Sequence, residues 1–215
     1  KRIYSSCTSL VTYDLLHRST NSFFSSLPFL NVVCACVCVL CIYTPAYIPQ
    51  IMPAYHSSYN SQADDFQQSC AVPLLPLRTS VRGPAPKMMD GEETDIIDET
   101  LTFFRANMYF STFDVKGGAD RLLIYLTLYA NQCIKRVAKV ATKAEGAKAL
   151  FSLANEPFSL PGDSGWRLGG FFSSPGSKKE SDTIRAYLKQ AREELSKRIV
   201  DRLYGEDGAR NKWWM

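Results

Sequence analysis

Between Leu122 and Ala130 the chain carries no charged side chain, and the apolar residues of that stretch point in every helical direction. Gly117, Gly118 and Asp120 precede it, and Lys135 and Arg136 follow it. An acid at the start and cations at the end suit the dipole of a helix over residues 119–137. A helix without a polar face has to be covered on all sides. This one is too short, and too closely flanked by charge, to span a bilayer. The expected fold is therefore all-α, with one central buried helix surrounded by other helices. A middle filled in this way leaves little room for an interior cleft, so the business of the chain belongs on its surface.

The totals agree with an ordinary globular unit. The chain has 215 residues, 46% hydrophobic and 21% charged, enough for one good core. A net charge of +4, with no Lys/Arg block interleaved with aromatics, gives weak electrostatic support to a nucleic-acid partner. The two histidines, His17 and His56, are few for metal or acid–base work. Of the seven cysteines only Cys70 and Cys133 lie beyond residue 51. Two scattered thiols make no disulfide framework and favour a reducing compartment.

The texture changes at Met52, the first methionine; the chain itself begins with Lys1. Residues 1–51 are rich in Ser, Cys and Phe and nearly uncharged, and the run from Leu27 to Tyr43 is almost wholly apolar. That run reads as a signal peptide or membrane anchor with Arg18 as its flanking charge. Pro28 and Asn31 interrupt it, which favours upstream sequence ahead of a protein that starts at Met52. Residues 52–215 are then expected to form a single helical domain.

Within that domain, residues 72–86 read as an extended, polyproline-like arm lying on a surface. Thr94 or Asp95 is placed to cap a helix to about Phe110, with Ile97, Leu101, Phe104 and Met108 on one face. The uncharged helix runs from Ala119 to about Val140. Thr142-Lys-Ala-Glu145 is a capping box that opens a helix to about Asn155, weakened by Gly146. Residues 156–179, with Pro157, Pro161, Pro175 and five glycines, read as a long ordered loop with a short strand pair around Phe171 and Phe172. Ser181 or Asp182 caps a final helix to about Tyr204, where Ile184, Leu188, Ala191, Leu195 and Ile199 share a face. Glu193/Lys197 and Glu194/Arg198 form i,i+4 pairs opposite.

Four groupings bear on chemistry. Gly162-Asp-Ser-Gly165 resembles the nucleophile loop of chymotrypsin-type proteases, but Ser164 has no histidine in the required setting and reads as a turn. Cys34, Cys36, Cys38 and Cys41 offer sulfur to a soft metal, yet they sit on one apolar run without knuckle spacing. Lys116-Gly-Gly-Ala-Asp120 places glycines before a helix N-terminus, where phosphate can bind, without a P-loop or dinucleotide motif around it. Asp95, Asp98 and Glu99 read as a solvated first helical turn rather than a metal site. No catalytic residue, cofactor or metal is expected. The side chains expected to meet a partner are Leu74, Leu75 and Arg78 in the extended arm, and the terminal aromatic pair Trp213 and Trp214.

Eight segments then occur in one order: Met-Pro-Ala-Tyr-His-Ser-Ser (52–58), Leu-Leu-Pro-Leu-Arg (74–78), Gly-Pro-Ala-Pro (83–86), Thr-Asp-Ile-Ile-Asp-Glu (94–99), Phe-Arg-Ala-Asn (104–107), Ala-Asp-Arg-Leu-Leu-Ile-Tyr-Leu-Thr-Leu-Tyr (119–129), Arg-Ala-Tyr-Leu-Lys-Gln (185–190) and Asn-Lys-Trp-Trp (211–214). Together they resemble subunit three of the Arp two/three complex, which nucleates branched actin filaments. The resemblance spans Met52 to Trp214. It implies a non-enzymatic, all-α structural subunit that packs on actin-related protein three and meets the other subunits, with nucleotide bound elsewhere in the assembly. It also implies a place in the cytoplasm, at the actin cytoskeleton, reaching the actin filament through the assembly and without membrane insertion. The family has no counterpart of residues 1–51, and it continues past the Trp-Trp pair with a basic, aromatic tail, so a shortened C-terminus is expected here. The alternative is a small membrane-anchored helical protein using the run from Leu27 to Tyr43.

Overall fold

Three of the described helix starts are set by short side chains that accept from the first free N–H groups, and the fourth follows Gly117, which has no such side chain. In the computed structural model, which describes residues 54–88, 94–108, 113–205, 208–211 and 214, four helices result. They are α1 (Ile96–Met108), α2 (Gly118–Val137), α3 (Lys143–Asn155) and α4 (Lys178–Leu203). Asp95 opens α1, its Oδ1 accepting from the N–H of Ile97 and of Asp98 at 3.1 and 3.0 Å. Thr142 opens α3, accepting from Glu145 N–H at 3.3 Å. Side-chain oxygens at these positions satisfy donors that the helix itself cannot.

Helix α4 begins four or five residues earlier than its apolar pattern suggests. Ser177, not Ser181 or Asp182, is the cap, and its hydroxyl accepts from Glu180 N–H at 3.1 Å. Glu180 in turn accepts from Gly176 N–H and from Cys70 N–H, both at 2.8 Å. The Ser177-x-x-Glu180 spacing is a capping box, but its first turn lacks apolar residues and so lies ahead of the periodic signal. The inner face of α4 is as the spacing predicts, with Ile184, Leu188, Ala191, Leu195 and Ile199 all fully buried.

Helix α2 touches each of the other three helices, and also strand β2 (Val72–Pro73) and the first of two short 3-10 turns (Ser58–Ser61). Its Leu122, Leu123, Leu126, Ala130, Cys133 and Val137 are fully buried. Leu128 lies on the side left open, at 41% exposure. The helix ends at Val137, short of Val140, with Ala138 N–H still bonded to the Ile134 carbonyl.

The first part of the extended arm, residues 72–77, lies inside rather than on a surface, while Arg78, Arg82, Gly83 and Pro86 further along it are exposed as expected. β1 (Gln68–Ser69) pairs antiparallel with β2, Gln68 opposite Pro73 and Ser69 opposite Val72. Cys70 and Ala71 make the connection at φ 53° and 63°, a left-handed pair that tight hairpins need and that sequences usually signal with Asn or Gly. The chain then drives Val72, Leu74, Leu75 and Leu77 into the same core as the helices. The Tyr187 hydroxyl on α4 donates to the Leu75 carbonyl at 3.1 Å. Around Phe171 and Phe172 there is a single bridge, Gly169 to Phe172, instead of a strand pair. Residues 51–215 form one compact unit.

Among the described residues no helix is long and apolar enough to cross a membrane. The run from Leu27 to Tyr43, with Cys34, Cys36, Cys38 and Cys41, lies outside the described residues, as does Trp213.

Candidate interaction surface

The residues that look chemical in the sequence are used to tie the chain together. Asp95 is fully buried, not part of a solvated turn. The Arg198 guanidinium grips it with both forks, Nη1 to Oδ1 at 2.7 Å and Nη2 to Oδ2 at 2.9 Å. Arg198 also meets Asp98 at 3.0 Å and Glu194 at 2.9 Å, and donates to the Arg78 carbonyl. Glu99 turns the other way, accepting from the hydroxyls of Ser57 and Ser58. The three acids that adjoin in sequence therefore serve different elements. Glu194/Arg198 is the i,i+4 pair that forms, turned partly inward, while Glu193 pairs with Lys189 at 3.8 Å.

Asp120 closes the loop-to-helix junction at α2. Its Oδ1 accepts from Ser57 N–H at 2.9 Å and from Asn60 Nδ2 at 2.7 Å. Its Oδ2 accepts from Lys116 N–H at 3.0 Å and lies 2.8 Å from His56 Nδ1. Burial alone pushes such a carboxyl up, but the N–H groups of Ser57 and Lys116, with His56 and Asn60, outweigh it and hold Asp120 below the usual carboxylate range. The glycines that suggest a phosphate cradle have neighbours instead. A Cβ on Gly117 would stand 2.4 Å from Asn60 Oδ1, and one on Gly118 would stand 2.8 Å from Pro73 Cδ. The junction is filled by the chain's own 56–60 segment.

Ser164 is exposed in a turn braced by Asp163, whose Oδ2 accepts from Leu160 N–H at 2.7 Å, and Gly162 takes φ +96°. His56 is committed to Asp120. The thiols of Cys70 and Cys133 are buried, and burial raises both, Cys133 to about 11, which keeps them protonated and unreactive. Among the described residues no group of three or more His, Cys, Asp or Glu side chains is arranged to hold a metal ion.

Of the side chains expected to meet a partner, Leu74 and Leu75 are 2% and 0% exposed and lie in the chain's own core. Arg78 reaches solvent, holding Asp98 at 2.9 Å with its guanidinium. Trp214 is partly buried and stacks on Phe104 of α1, ring centroids 5.5 Å apart. The sequence gives no warning of Phe151, 63% exposed on α3. It lines an apolar groove of about 630 Å³ between α3 and α4, together with Ala144, Ala147 and Val200. Phe151 is one isolated aromatic between Leu150 and Ser152 in a mixed, alanine-rich helix, and its outward direction depends on how α3 packs on α4.

Comparison with known proteins identifies the family. Residues 52–215 match the family described as P21-Arc, ARP2/3 complex ARPC3 (21 kDa) subunit. The chain is 45% identical over 161 residues to "Actin-related protein 2/3 complex subunit 3" of Arabidopsis thaliana, covering 75% of this chain and 91% of the relative. It is 46% identical over 162 residues to the protein of that name from Dictyostelium discoideum, with 75% and 92% covered. Against the Saccharomyces cerevisiae protein of that name identity is 36% over 168 residues, with 76% and 93% covered. The chain belongs to the ARPC3 (P21-Arc) family of Arp2/3 complex subunits.

Proposed function

We propose that this chain is a structural subunit of the Arp2/3 complex that works by binding alone, packing on actin-related protein three and supporting nucleation of branched actin filaments in the cytoplasm. The family match over residues 52–215 carries this reading. The internal use of Asp95, Asp98, Glu99, Asp120 and His56 supports it, because these are the groups a catalytic site would have needed. A helix such as α2, in contact with each of the other three described helices, serves as a rigid spine on which outer surfaces are held at fixed separations. Arg78, the C-terminal Trp213–Trp214 pair and the side of α2 that carries Leu128 are the proposed contact regions, and neighbouring subunits would complete the cover of that spine.

The test is incorporation. A tagged full-length chain expressed in cells is expected to co-purify with actin-related proteins two and three in stoichiometric amounts. A chain that runs as a free monomer in extract, while an established family member enters the complex, would sink the proposal.

A further inference from the structure

Past Leu77 the arm leaves the core and is held down by one row of α4 side chains. Gln190, Glu194 and Arg198 stand four residues apart, along one side of the helix. Gln190 accepts from Ala85 N–H at 3.0 Å and donates to the Val81 carbonyl at 2.8 Å. Glu194 accepts from the Thr79 hydroxyl at 2.7 Å, and Arg198 donates to the Arg78 carbonyl. Between those anchors the chain bends at Ser80 and Val81, with Val81 N–H donating to the Thr79 hydroxyl at 3.0 Å.

The two adjacent hydroxyls are placed differently. Thr79 is engaged by Glu194. Ser80 is exposed, and its oxygen accepts from the Lys197 ammonium at 3.5 Å, while its own proton goes to no acceptor among the described residues. Arg78 lies two residues before it and Arg82 two residues after, both exposed. The Arg78 guanidinium is drawn to Asp98 at 2.9 Å, so Lys197 is the cation in reach. Lys197 is half-exposed, and its carboxylate neighbour Glu194, 3.9 Å away, is already held by Arg198 at 2.9 Å. Two other serines beside cations are engaged, Ser177 as the cap of α4 and Ser196 buried against the Tyr129 hydroxyl. An accessible hydroxyl on irregular chain, flanked in sequence by two arginines and approached in space by a lysine, suits a phosphate. The added group gains charge-assisted hydrogen bonds there instead of meeting an unpaired carboxylate.

We propose that Ser80 is a phosphorylation site for a protein kinase that selects basic sequence, and that its phosphate is held by Lys197 and fastens the 78–85 arm to α4. In the transfer, Ser80 Oγ forms a bond to the γ-phosphorus of a magnesium nucleoside triphosphate bound by the kinase. The bond from that phosphorus to the bridging oxygen breaks, the nucleoside diphosphate leaves, and the hydroxyl proton passes to a carboxylate of the kinase. The product sets a charge of about −2 on an arm whose exposed cations are Arg78, Arg82 and Lys87. Nothing in this chemistry depends on the assembly role proposed above.

The full chain is incubated with magnesium ATP and the catalytic domain of protein kinase C, a kinase of this basic-directed kind. Fragmentation mass spectrometry is expected to place one phosphate on Ser80 and none on Thr79. Arg82→Gln, a change at an exposed side chain, is expected to slow the transfer several-fold with an unchanged thermal midpoint. Hydrogen exchange then reads the fastening. The amides of Val81 and Ala85 are expected to exchange about fivefold more slowly once Ser80 is phosphorylated, the upper range for an exposed ion pair. In Lys197→Gln phosphorylation is expected to leave their exchange unchanged. Phosphate on other residues with Ser80 unmodified, equal transfer rates for Arg82→Gln and wild type, exchange unaltered by the phosphate, or equal slowing in Lys197→Gln would overturn the proposal. So would an unmodified Ser80 in chain recovered from phosphatase-inhibited cells. Failure of the chain to co-purify with actin-related proteins would overturn the assembly role and leave the Ser80 result standing, so the two are separable.

Discussion

Arg198 holds both carboxylate oxygens of Asp95, 103 residues away, at 2.7 and 2.9 Å, and thereby pins the start of α1 to the last turns of α4. Asp95 performs two further jobs at once, capping α1 and accepting from Arg78 N–H at 2.9 Å. Removing the cation leaves a fully buried carboxylate without its charge partner. Arg198→Met is therefore expected to destabilise the chain by about 3–5 kcal/mol. The double variant Asp95→Asn with Arg198→Met keeps an oxygen for the cap and should recover part of that loss. Urea midpoints of the three proteins check this, and a single variant within about 0.5 kcal/mol of wild type would refute a stabilising role for the pair.

Gly146 illustrates a substitution whose sign is decided by packing. In a helix, alanine is favoured over glycine by about 1 kcal/mol. A Cβ at position 146, however, would stand 2.7 Å from Tyr204 Oη and 2.8 Å from its ring, and that ring is 1% exposed. Tyr204 is tied at its hydroxyl to the Val140 carbonyl at 3.3 Å, so it has little freedom to withdraw. Overpacking a fixed core group costs about 1–3 kcal/mol, which exceeds the propensity gain. Gly146→Ala is expected to lower the thermal midpoint by several degrees, and a raised midpoint would show that Tyr204 yields.

The same glycine shows where sequence reading stops. Helical periodicity locates the four described helices and the buried faces of α1 and α4, because apolar spacing reports local burial directly. It marks Gly146 as a weakness, since Tyr204 is 58 positions away in the chain and no local pattern links them. The burial of Leu74 and Leu75 is hidden for a related reason. A Pro-rich extended strand has no period that distinguishes an arm on a surface from one threaded under helices. The hairpin at Cys70 and Ala71 is missed because residues with side chains occupy a left-handed pair that glycine or asparagine would have announced. At the surface, Arg78 is legible as an exposed cation, whereas the approach of Lys197 to Ser80, 117 positions apart, depends on how the arm lies on α4.

Asp120 should govern part of the acid limb of stability. Its folded-state pKa lies below the unfolded value of about 3.9, so its contribution is present above that value and is lost as pH falls through the folded one. Asp120→Asn removes the titration. It also sets an amide N–H₂ against donors from Ser57, Lys116 or Asn60, a loss of about 1–3 kcal/mol at neutral pH. The variant is expected to be less stable at pH 7 and to lose less of its stability between pH 5 and pH 2. Parallel stability curves for variant and wild type over that range would show that Asp120 contributes nothing to acid unfolding.

Phe151 offers the cleanest separation of assembly from folding. At 63% exposure it adds little to the chain's own core, so its replacement should leave stability within about 0.5 kcal/mol. It nevertheless stands beside an apolar groove floored by Ala144, Ala147 and Val200, with the Lys143–Asp201 pair at 2.8 Å on the edge. A large exposed aromatic next to small apolar residues is the composition of a contact that a neighbour covers. Phe151→Ser is expected to keep the wild-type thermal midpoint while reducing the fraction of tagged chain recovered with actin-related proteins. A Phe171→Ser variant, at 38% exposure on the loop before α4, serves as the comparison for the loss of any exposed aromatic. If Phe151→Ser co-purifies as fully as wild type, the α3–α4 groove faces solvent in the assembly and the contacts lie elsewhere on the surface. If both variants lose incorporation equally, the effect comes from general surface hydrophobicity and not from the groove.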